Sequence, residues 1–407
     1  MRTEAAPGPW LRLTALAGVA ACVLAVVSGT LELGTAHRLM SALALPPLAA
    51  MVVAAWVSYR RLLVPSTAAL ALFGAAALAT AAGLHVALAA LALGAAAVSA
   101  ALTFRPGPDV IAQSHKVPSL PGSWRDYITL TKPRIMSLLL LTGASGMFVG
   151  EGGAPPLGDL GVMLLGLGLA CGGASALNHV MDRDIDRLMG ARTERRPVAS
   201  GRVAPARALE FGLALSAGSF VLLASLSNVL TALLALVGNL FYVLVYTGWL
   251  KRSTPQNIVI GGAAGAVPPL VGWAAATGGL TLPALALFAI VFFWTPPHFW
   301  ALALLIKRDY EAARVPMLPV VRGERETARQ ILLYTLVLVA VTVTPFVLGP
   351  AGLVYLVAAL ALGAVFLVLA WRLRAELLPR RAAVLFHYSL AYLALLFVAL
   401  AVDPLIV

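Results

Sequence analysis

The sequence predicts an all-α polytopic membrane protein: about nine transmembrane helices in a bundle, preceded by a four-helix transmembrane domain. Three observations carry this. Hydrophobic residues make up 61% of the 407 and charged residues only 11%, far from soluble usage. Apolar runs of about 20 residues, long enough to cross a bilayer, recur from end to end. The runs are continuous and rich in Leu, Ala and Val rather than alternating, which favours helices over a β-barrel.

Taken in order, the first four spans fall at roughly 13–34, 38–58, 66–82 and 84–104. The run from Leu13 to Leu33 is too long for the apolar core of a signal peptide, and Ala-rich spans follow at once, so it is a true first span. Residues 1–105 thus form one unit, and a polar, Pro-containing cytoplasmic linker occupies 106–123. About nine further spans run from Ile135 to the C-terminus and make 124–407 a second unit. Lys and Arg mark every second loop: Arg2 and Arg12, Arg60 and Arg61, Arg105, Lys132 and Arg134, Arg183 to Arg202, Lys251 and Arg252, Lys307 to Arg329, and Arg372 to Arg381. The loops between them have almost no basic residues. This alternation places the N-terminus and the basic loops on the cytoplasmic side of a bacterial-type inner membrane. The net charge of +12 is spread over those loops, and reads as orientation and anionic-lipid contact rather than nucleic-acid binding. Cys22 and Cys171 lie inside apolar runs, which argues against a structural disulfide or a Cys-ligated metal.

The chemistry concentrates in Asn178-His-Val-Met-Asp182-Arg-Asp184-Ile-Asp186, at the end of an apolar run. Residues four apart on a helix rise about 6 Å and drift about 40°, so Asn178, Asp182 and Asp186 form one oxygen-rich stripe. Such a stripe suits Mg²⁺, and Mg²⁺ held by few carboxylates usually also holds phosphate. Asn178 and Asp182 can share one ion; Asp186, a turn further out, reaches a second ion or the same diphosphate through water. Asp184 points elsewhere and reads as a solvated or Arg-paired charge. His179 is adjacent to Asn178 but off the metal face, and His387 lies near a helix end; neither is given a role. Arg183, Arg187, Arg192, Arg195 and Arg196 suit an anionic substrate. The bland alternative is a helix end meeting water, but the register and the adjoining basic cluster favour metal-diphosphate binding. A second acidic loop, Lys307-Arg308-Asp309-Tyr310-Glu311 through Arg314, falls on the same side of the membrane. Facing the first, it adds Asp309 as a second acidic group and Lys307, Arg308 and Arg314 as counter-charges.

Two apolar runs carry proline pairs, Pro268-Pro269 and Pro296-Pro297, near the middle of the bilayer. Each pair should kink its helix and free backbone carbonyls. Gly261, Gly262 and Gly265 permit close approach ahead of the first pair. Phe292, Phe293, Trp294, Phe299 and Trp300 surround the second and suggest an aromatic-walled cavity that stabilises a carbocation.

Lys132-Pro-Arg134, the Asn178/Asp182/Asp186 stripe and Tyr246-Thr-Gly-Trp-Leu-Lys251-Arg252-Ser-Thr-Pro-Gln-Asn257 resemble the UbiA-type intramembrane prenyltransferases. More narrowly, Gly261 to Trp273, Trp294-Thr-Pro296-Pro297-His298-Phe-Trp300, and Asp309-Tyr310 through Val315-Pro-Met-Leu-Pro-Val are similar to the protohaem IX farnesyltransferases, or haem O synthases. The resemblance runs from about Trp124 to the C-terminus. It implies a UbiA-type bundle, farnesyl diphosphate and haem b as substrates, haem O as product, and Mg²⁺ as cofactor. It also implies metal-diphosphate binding by Asn178, Asp182 and Asp186, with Asp309 as a further acidic residue. Lys132, Arg134, Arg195, Arg196, Lys251, Arg252 and Lys307 become candidates for the phosphate oxygens. Tyr246, His298 and Trp300 become candidates for substrate contact, with His298 ligating haem iron or bonding a propionate. The chain departs from family members with a full second Asp motif by having only Asp309 and Glu311 there, which leaves a second metal ion open.

The first unit lies outside that resemblance. His37 and His85 open its second and fourth spans, at the same depth in an up-down bundle, where two imidazoles can ligate one haem iron. Ser28-Gly-Thr30, His37 to Ala42 and His85 to Gly94 resemble half of a haem A synthase. This implies a second bound haem, or docking of haem A synthase as partner. The competing readings are another UbiA-type transferase with an aromatic or tetrapyrrole acceptor, a membrane haem-binding or assembly protein, and an ion-coupled transporter. The last would carry its charges near the midplane rather than at helix ends.

Overall fold

A computed structural model describes residues 123–406. The expected four-helix unit, with its two histidines, and the linker lie outside the described residues. The described part contains no strand, and nine of its helices are long and apolar enough to cross a membrane.

A short amphipathic helix, α1 (Trp124–Thr131), leads in. Ser123 and Asp126 close a capping box at its start, and Leu130 is its fully buried anchor while Trp124 stays exposed. Lys132 then turns the chain with left-handed backbone angles, φ 51° and ψ 59°. The residue before a proline is pushed out of the right-handed helical region, and Pro133 sits at the first position of the next helix, where its missing N–H costs nothing. The first span, α2 (Pro133–Glu151), therefore starts at a sharp corner that carries a lysine.

Eight further spans follow: α3 (Leu157–Met181), α6 (Pro205–Leu226), α7 (Val229–Ser253), α8 (Asn257–Thr277), α9 (Leu282–Leu305), α12 (Gly323–Val347), α13 (Leu353–Ala375) and α14 (Pro379–Ile406). Between them lie the short helices α4 (Arg183–Leu188), α5 (Ala191–Glu194), α10 (Lys307–Ala312) and α11 (Leu318–Val321). Successive spans pack on one another, and α14 returns to pack on α2, so the nine form a closed ring. The ring is crossed by α2 against α8 and by α9 against α14. The α2–α8 crossing is backbone on backbone. A Cβ at Gly272 would overlap the Gly143 carbonyl, and one at Gly146 would overlap Pro269. Without a hydrophobic drive between helices in lipid, such small-residue seams give the close van der Waals contact that holds spans together.

The proline pairs behave differently from each other. Helix α8 breaks at Ala266, so that Pro268 and Pro269 start a second helical segment, Val267–Thr277. Helix α9 runs through Pro296 and Pro297 without interruption. The last part of α7, Phe241–Leu250, widens into a π-helix, with the Thr247 hydroxyl donating to the Tyr242 carbonyl 2.9 Å away. The ends that carry the site therefore gather on one face of the ring: the start of α2, the end of α3, the end of α7 and the loop after α9.

Candidate active site

The end of α3 is held by a chain of polar contacts in a buried setting. Lys132 Nζ donates to Asn178 Oδ1 at 3.0 Å. Asn178 Nδ2 donates to Asp182 Oδ2 at 2.8 Å and to the Thr247 hydroxyl at 3.0 Å. Lys251, at the end of α7, donates to the same Asp182 oxygen at 2.5 Å. Asp182 itself ends α3, at φ −88° and ψ 2°, and α4 carries the chain on to Asp186. Asp186 Oδ1 accepts from Arg196 at 2.6 Å, and Thr193 steadies the turn by donating to the Asp186 carbonyl. Asn178, Asp182 and Asp186 are 3%, 1% and 1% exposed.

Each carboxylate keeps one oxygen free. Asp182 Oδ1 and Asp186 Oδ2 are buried and accept no hydrogen bond among the described residues. A buried acceptor left unpaired costs about 1–3 kcal/mol, so two of them on adjacent turns mark a place where a positive ligand belongs. Among the described residues no three His, Cys, Asp or Glu side chains converge as a cation cage. Two carboxylate oxygens are nonetheless what Mg²⁺ uses when phosphate and water complete its shell, so the donor set fits that ion together with an anionic ligand rather than alone. Burial raises the Asp186 carboxyl above its usual value, with Arg196 opposing. Burial, reinforced by the nearby charge of Arg196, pushes the Lys132 ammonium down to about 7. Lys132 thus lacks counter-charge that a phosphate oxygen would supply.

The other expected residues divide. Asp309 is partly buried on the second loop, and its carboxylate would lie 3.6 Å from a Cβ placed at Gly190, so the two acidic loops do meet. Tyr310 is pushed up to about 12 by burial and feels the charges of Arg196 and Asp182. Tyr246 stacks on Tyr242 with ring centroids 5.5 Å apart, in space that Gly261 leaves open. Arg252 faces outward and forms a two-pronged pair with Asp184, 2.7 Å on each arm, while also donating to the Met181 carbonyl. That pairing holds Asp184 down to about 2. The guanidinium expected on phosphate therefore braces the outer side of the turn. Arg134 and Arg195 are exposed, and Lys307 lies between Glu311 and Glu324 at 3.7 and 3.3 Å. Thr247 was not foreseen. Its signal was its place in the Tyr246-Thr-Gly-Trp-Leu-Lys251 run, but only the π-helical winding turns it toward Asn178.

The aromatic cluster on α9 is ordered around His298. The imidazole stacks between Trp294 (4.4 Å) and Phe386 (4.8 Å), and its Nδ1 lies 2.7 Å from the Ser389 hydroxyl. Ser389 gives its own proton to the Phe386 carbonyl, so it accepts from His298, which leaves Nε2 as the basic nitrogen. Trp300 packs edge-on against Tyr334 and lines a separate cavity of about 250 Å³ with Gln256, Arg322 and Glu326.

The UbiA prenyltransferase family model matches residues 139–396. The chain belongs to the UbiA prenyltransferase family. Curated relatives include protoheme IX farnesyltransferases from Symbiobacterium thermophilum, 54% identical over 69% of this chain and 94% of the relative, and from Azotobacter vinelandii, 53% identical over 69% and 94%. The fold is shared with a solved structure described as a digeranylgeranylglyceryl phosphate synthase, at TM-score 0.59 and 17% identity, covering 70% of this chain and 99% of that one. It is also shared with an apo UbiA homolog from Aeropyrum pernix, at TM-score 0.54 and 21% identity, covering 67% and 98%. A UbiA homolog from Archaeoglobus fulgidus bound to DMAPP and Mg²⁺ aligns at TM-score 0.50 and 19% identity, covering 68% and 99%. This UbiA prenyltransferase is accordingly a multi-pass membrane enzyme.

Proposed function

We infer that this UbiA prenyltransferase moves a farnesyl group from farnesyl diphosphate to a vinyl group of haem b, giving haem O. The observation that carries the site is the pair of orphaned carboxylate oxygens on Asp182 and Asp186, set among Lys132, Lys251 and Arg196. The name of the relatives at 53–54% identity supports the acceptor and donor.

Asp182 and Asp186 would hold Mg²⁺, which would supply charge to the departing diphosphate. Asn178 orients Asp182 through its amide and keeps Lys132 in place through its carbonyl. Lys132, Lys251 and Arg196 turn from their present partners to the phosphate oxygens, where hydrogen bonds to charge are strongest. Asp309 and Tyr310 close the site from the second loop. The C1–O bond of the farnesyl group breaks with its electron pair leaving on diphosphate. The vinyl carbon attacks the allylic cation, and water captures the new cation on the porphyrin side and loses a proton. Trp294 and Phe386 fix the His298 ring, whose unprotonated Nε2 is available to the haem iron; an ionised propionate, itself an acceptor, has no N–H to take from that nitrogen. Arg252, Arg134, Arg195 and Lys307 serve the surrounding turns and the membrane surface rather than the ligand.

The basic loops support an orientation with this face in the cytoplasm of an inner membrane. For residues 1–105 the proposal is a separate membrane unit in which His37 and His85 bind a second haem or dock haem A synthase. A Soret band that survives His298→Ala and disappears in the His37→Ala/His85→Ala variant supports it; a band unaffected by the pair refutes it.

The test of the main reaction is incubation of the full chain with haem b, farnesyl diphosphate and Mg²⁺, with and without EDTA, followed by mass analysis of the pigment. Haem O formed only without EDTA is the expected result. Unchanged haem b, or prenylation of 4-hydroxybenzoate instead, refutes it.

A further inference from the structure

His179 stands out once the site is assembled. It is 2% exposed, and neither ring nitrogen has a hydrogen-bond partner among the described residues. Among the described residues no aromatic ring stacks on it, whereas His298 has three ring neighbours and a serine. The charges that act on it are those of Lys132, Arg196 and Lys251, the same three cations that ring the acidic stripe. None of these carries an acceptor side chain. A neutral imidazole has one N–H to give, and the cations around it offer nothing to take it.

Helix geometry explains how it came to face that way. Measured from Asn178, His179 is turned by about 100°, and measured from Asp182, where the helix ends, by about 60°. The stripe drifts as it climbs, and it drifts toward His179. An imidazole buried on that side feels the same three cations that an anion above the carboxylates would balance.

We propose that His179 is a further substrate-binding residue, donating its ring N–H to a non-bridging oxygen of the diphosphate. This rests on the diphosphate reading of the stripe. A buried imidazole that lacks both partners is costly to keep as packing alone, since each unpaired group forfeits its hydrogen bonds to water. A phosphate oxygen satisfies the N–H, which finds no acceptor among the described residues. The bond would form with the substrate and persist on the leaving group, so its loss shows in pyrophosphate affinity.

The experiment titrates inorganic pyrophosphate with Mg²⁺ into the purified full chain by calorimetry. His179→Phe, without a donor, should weaken binding roughly ten- to a hundredfold, the usual worth of a hydrogen bond to a charged acceptor. His179→Asn, which keeps an N–H, should bind within a few-fold of the parent. If His179→Phe does not fold, His179→Leu serves as the donor-free variant. Equal affinity in all variants overturns the proposal. Equal loss in the Phe and Asn variants also overturns it, since a packing residue behaves that way. Asp182→Ala separates the two levels of the argument. If it leaves pyrophosphate binding unchanged, the reading of the stripe itself fails; if it abolishes binding while His179→Phe does not weaken it, only the role of His179 fails.

Discussion

Breaking and then re-neutralising the Asp182–Lys251 pair tests the site most sharply. The two side chains are 1% and 11% exposed and 2.5 Å apart, and Asp182 Oδ2 also receives Asn178. Asp182→Ala leaves an ammonium buried without its partner. Removal of one half of such a pair costs about 3–5 kcal/mol, and the slight exposure of Lys251 places this case near the lower end. Lys251→Met strands the carboxylate at similar cost, softened by the Asn178 contact. The double variant Asp182→Asn/Lys251→Met removes both charges in nearly the same volume and should recover most of the loss, a coupling of about 2–3 kcal/mol. Activity should not recover, because a neutral amide gives up the carboxylate that the metal and diphosphate require. We expect a fall of at least about a hundredfold, as when a single charge-stabilising group is lost. Unfolding in mixed detergent micelles reads the first quantity and haem O formation by pigment mass reads the second. A double variant no more stable than the singles refutes the pairing, and one that regains activity refutes the assignment of Asp182.

Further outcomes follow from the geometry. Arg252→Gln should leave pyrophosphate affinity within about twofold and stability within about 1 kcal/mol, since its partner Asp184 is exposed; Arg196→Gln should weaken pyrophosphate binding at least about tenfold. Gly261→Ala places a methyl into the Tyr246 ring and should lower stability by about 1–3 kcal/mol, seen as a lower thermal midpoint together with reduced turnover. EDTA should abolish haem O formation and Mg²⁺ should restore it, whereas the thermal midpoint of the substrate-free chain should move little, because Lys251 and Arg196 already neutralise the carboxylates. Asp126 is held below its ordinary 3.8 first by the hydrogen bond from Arg202. A lowered folded-state value stabilises above the ordinary one and is lost as pH falls, so proteolysis of the 195–202 segment should quicken below about pH 4, and in Asp126→Asn already at neutral pH.

Much of this was legible in the residues. Apolar run lengths located the spans, and the four-residue spacing put Asn178 beside Asp182 because helical pitch sets it; that Asn178 turns its N–H to the carboxylate and gives its oxygen to Lys132, and that the helix breaks at Asp182, were not legible. What stayed hidden depended on where the helices deviate or on what faces them. The π-helical stretch before Lys251 has no marker in Phe241–Leu250, yet it sets Thr247 against Asn178. Arg252 reads as a phosphate ligand beside Lys251, but adjacent positions on a helix point apart, and Asp184 captures it on the far side. Pro268 and Pro269 restart a helix one turn after Gly265, whereas Pro296 and Pro297 sit within one; burial of α9 among its neighbours overrides the local tendency to break. His179 reads as idle because it is off the metal face; its burial without any hydrogen-bond partner shows only in the fold.

The salt links of Asp182 with Lys251 and of Asp186 with Arg196 bear on which ions this enzyme admits. Acid groups half-neutralised by fixed cations offer a solitary divalent ion one free oxygen each and little net charge. A metal that arrives with a polyanion brings oxygens for those cations as well as charge for the carboxylates. On the diphosphate reading, that charge balance favours the magnesium salt of the isoprenoid donor over an unaccompanied ion.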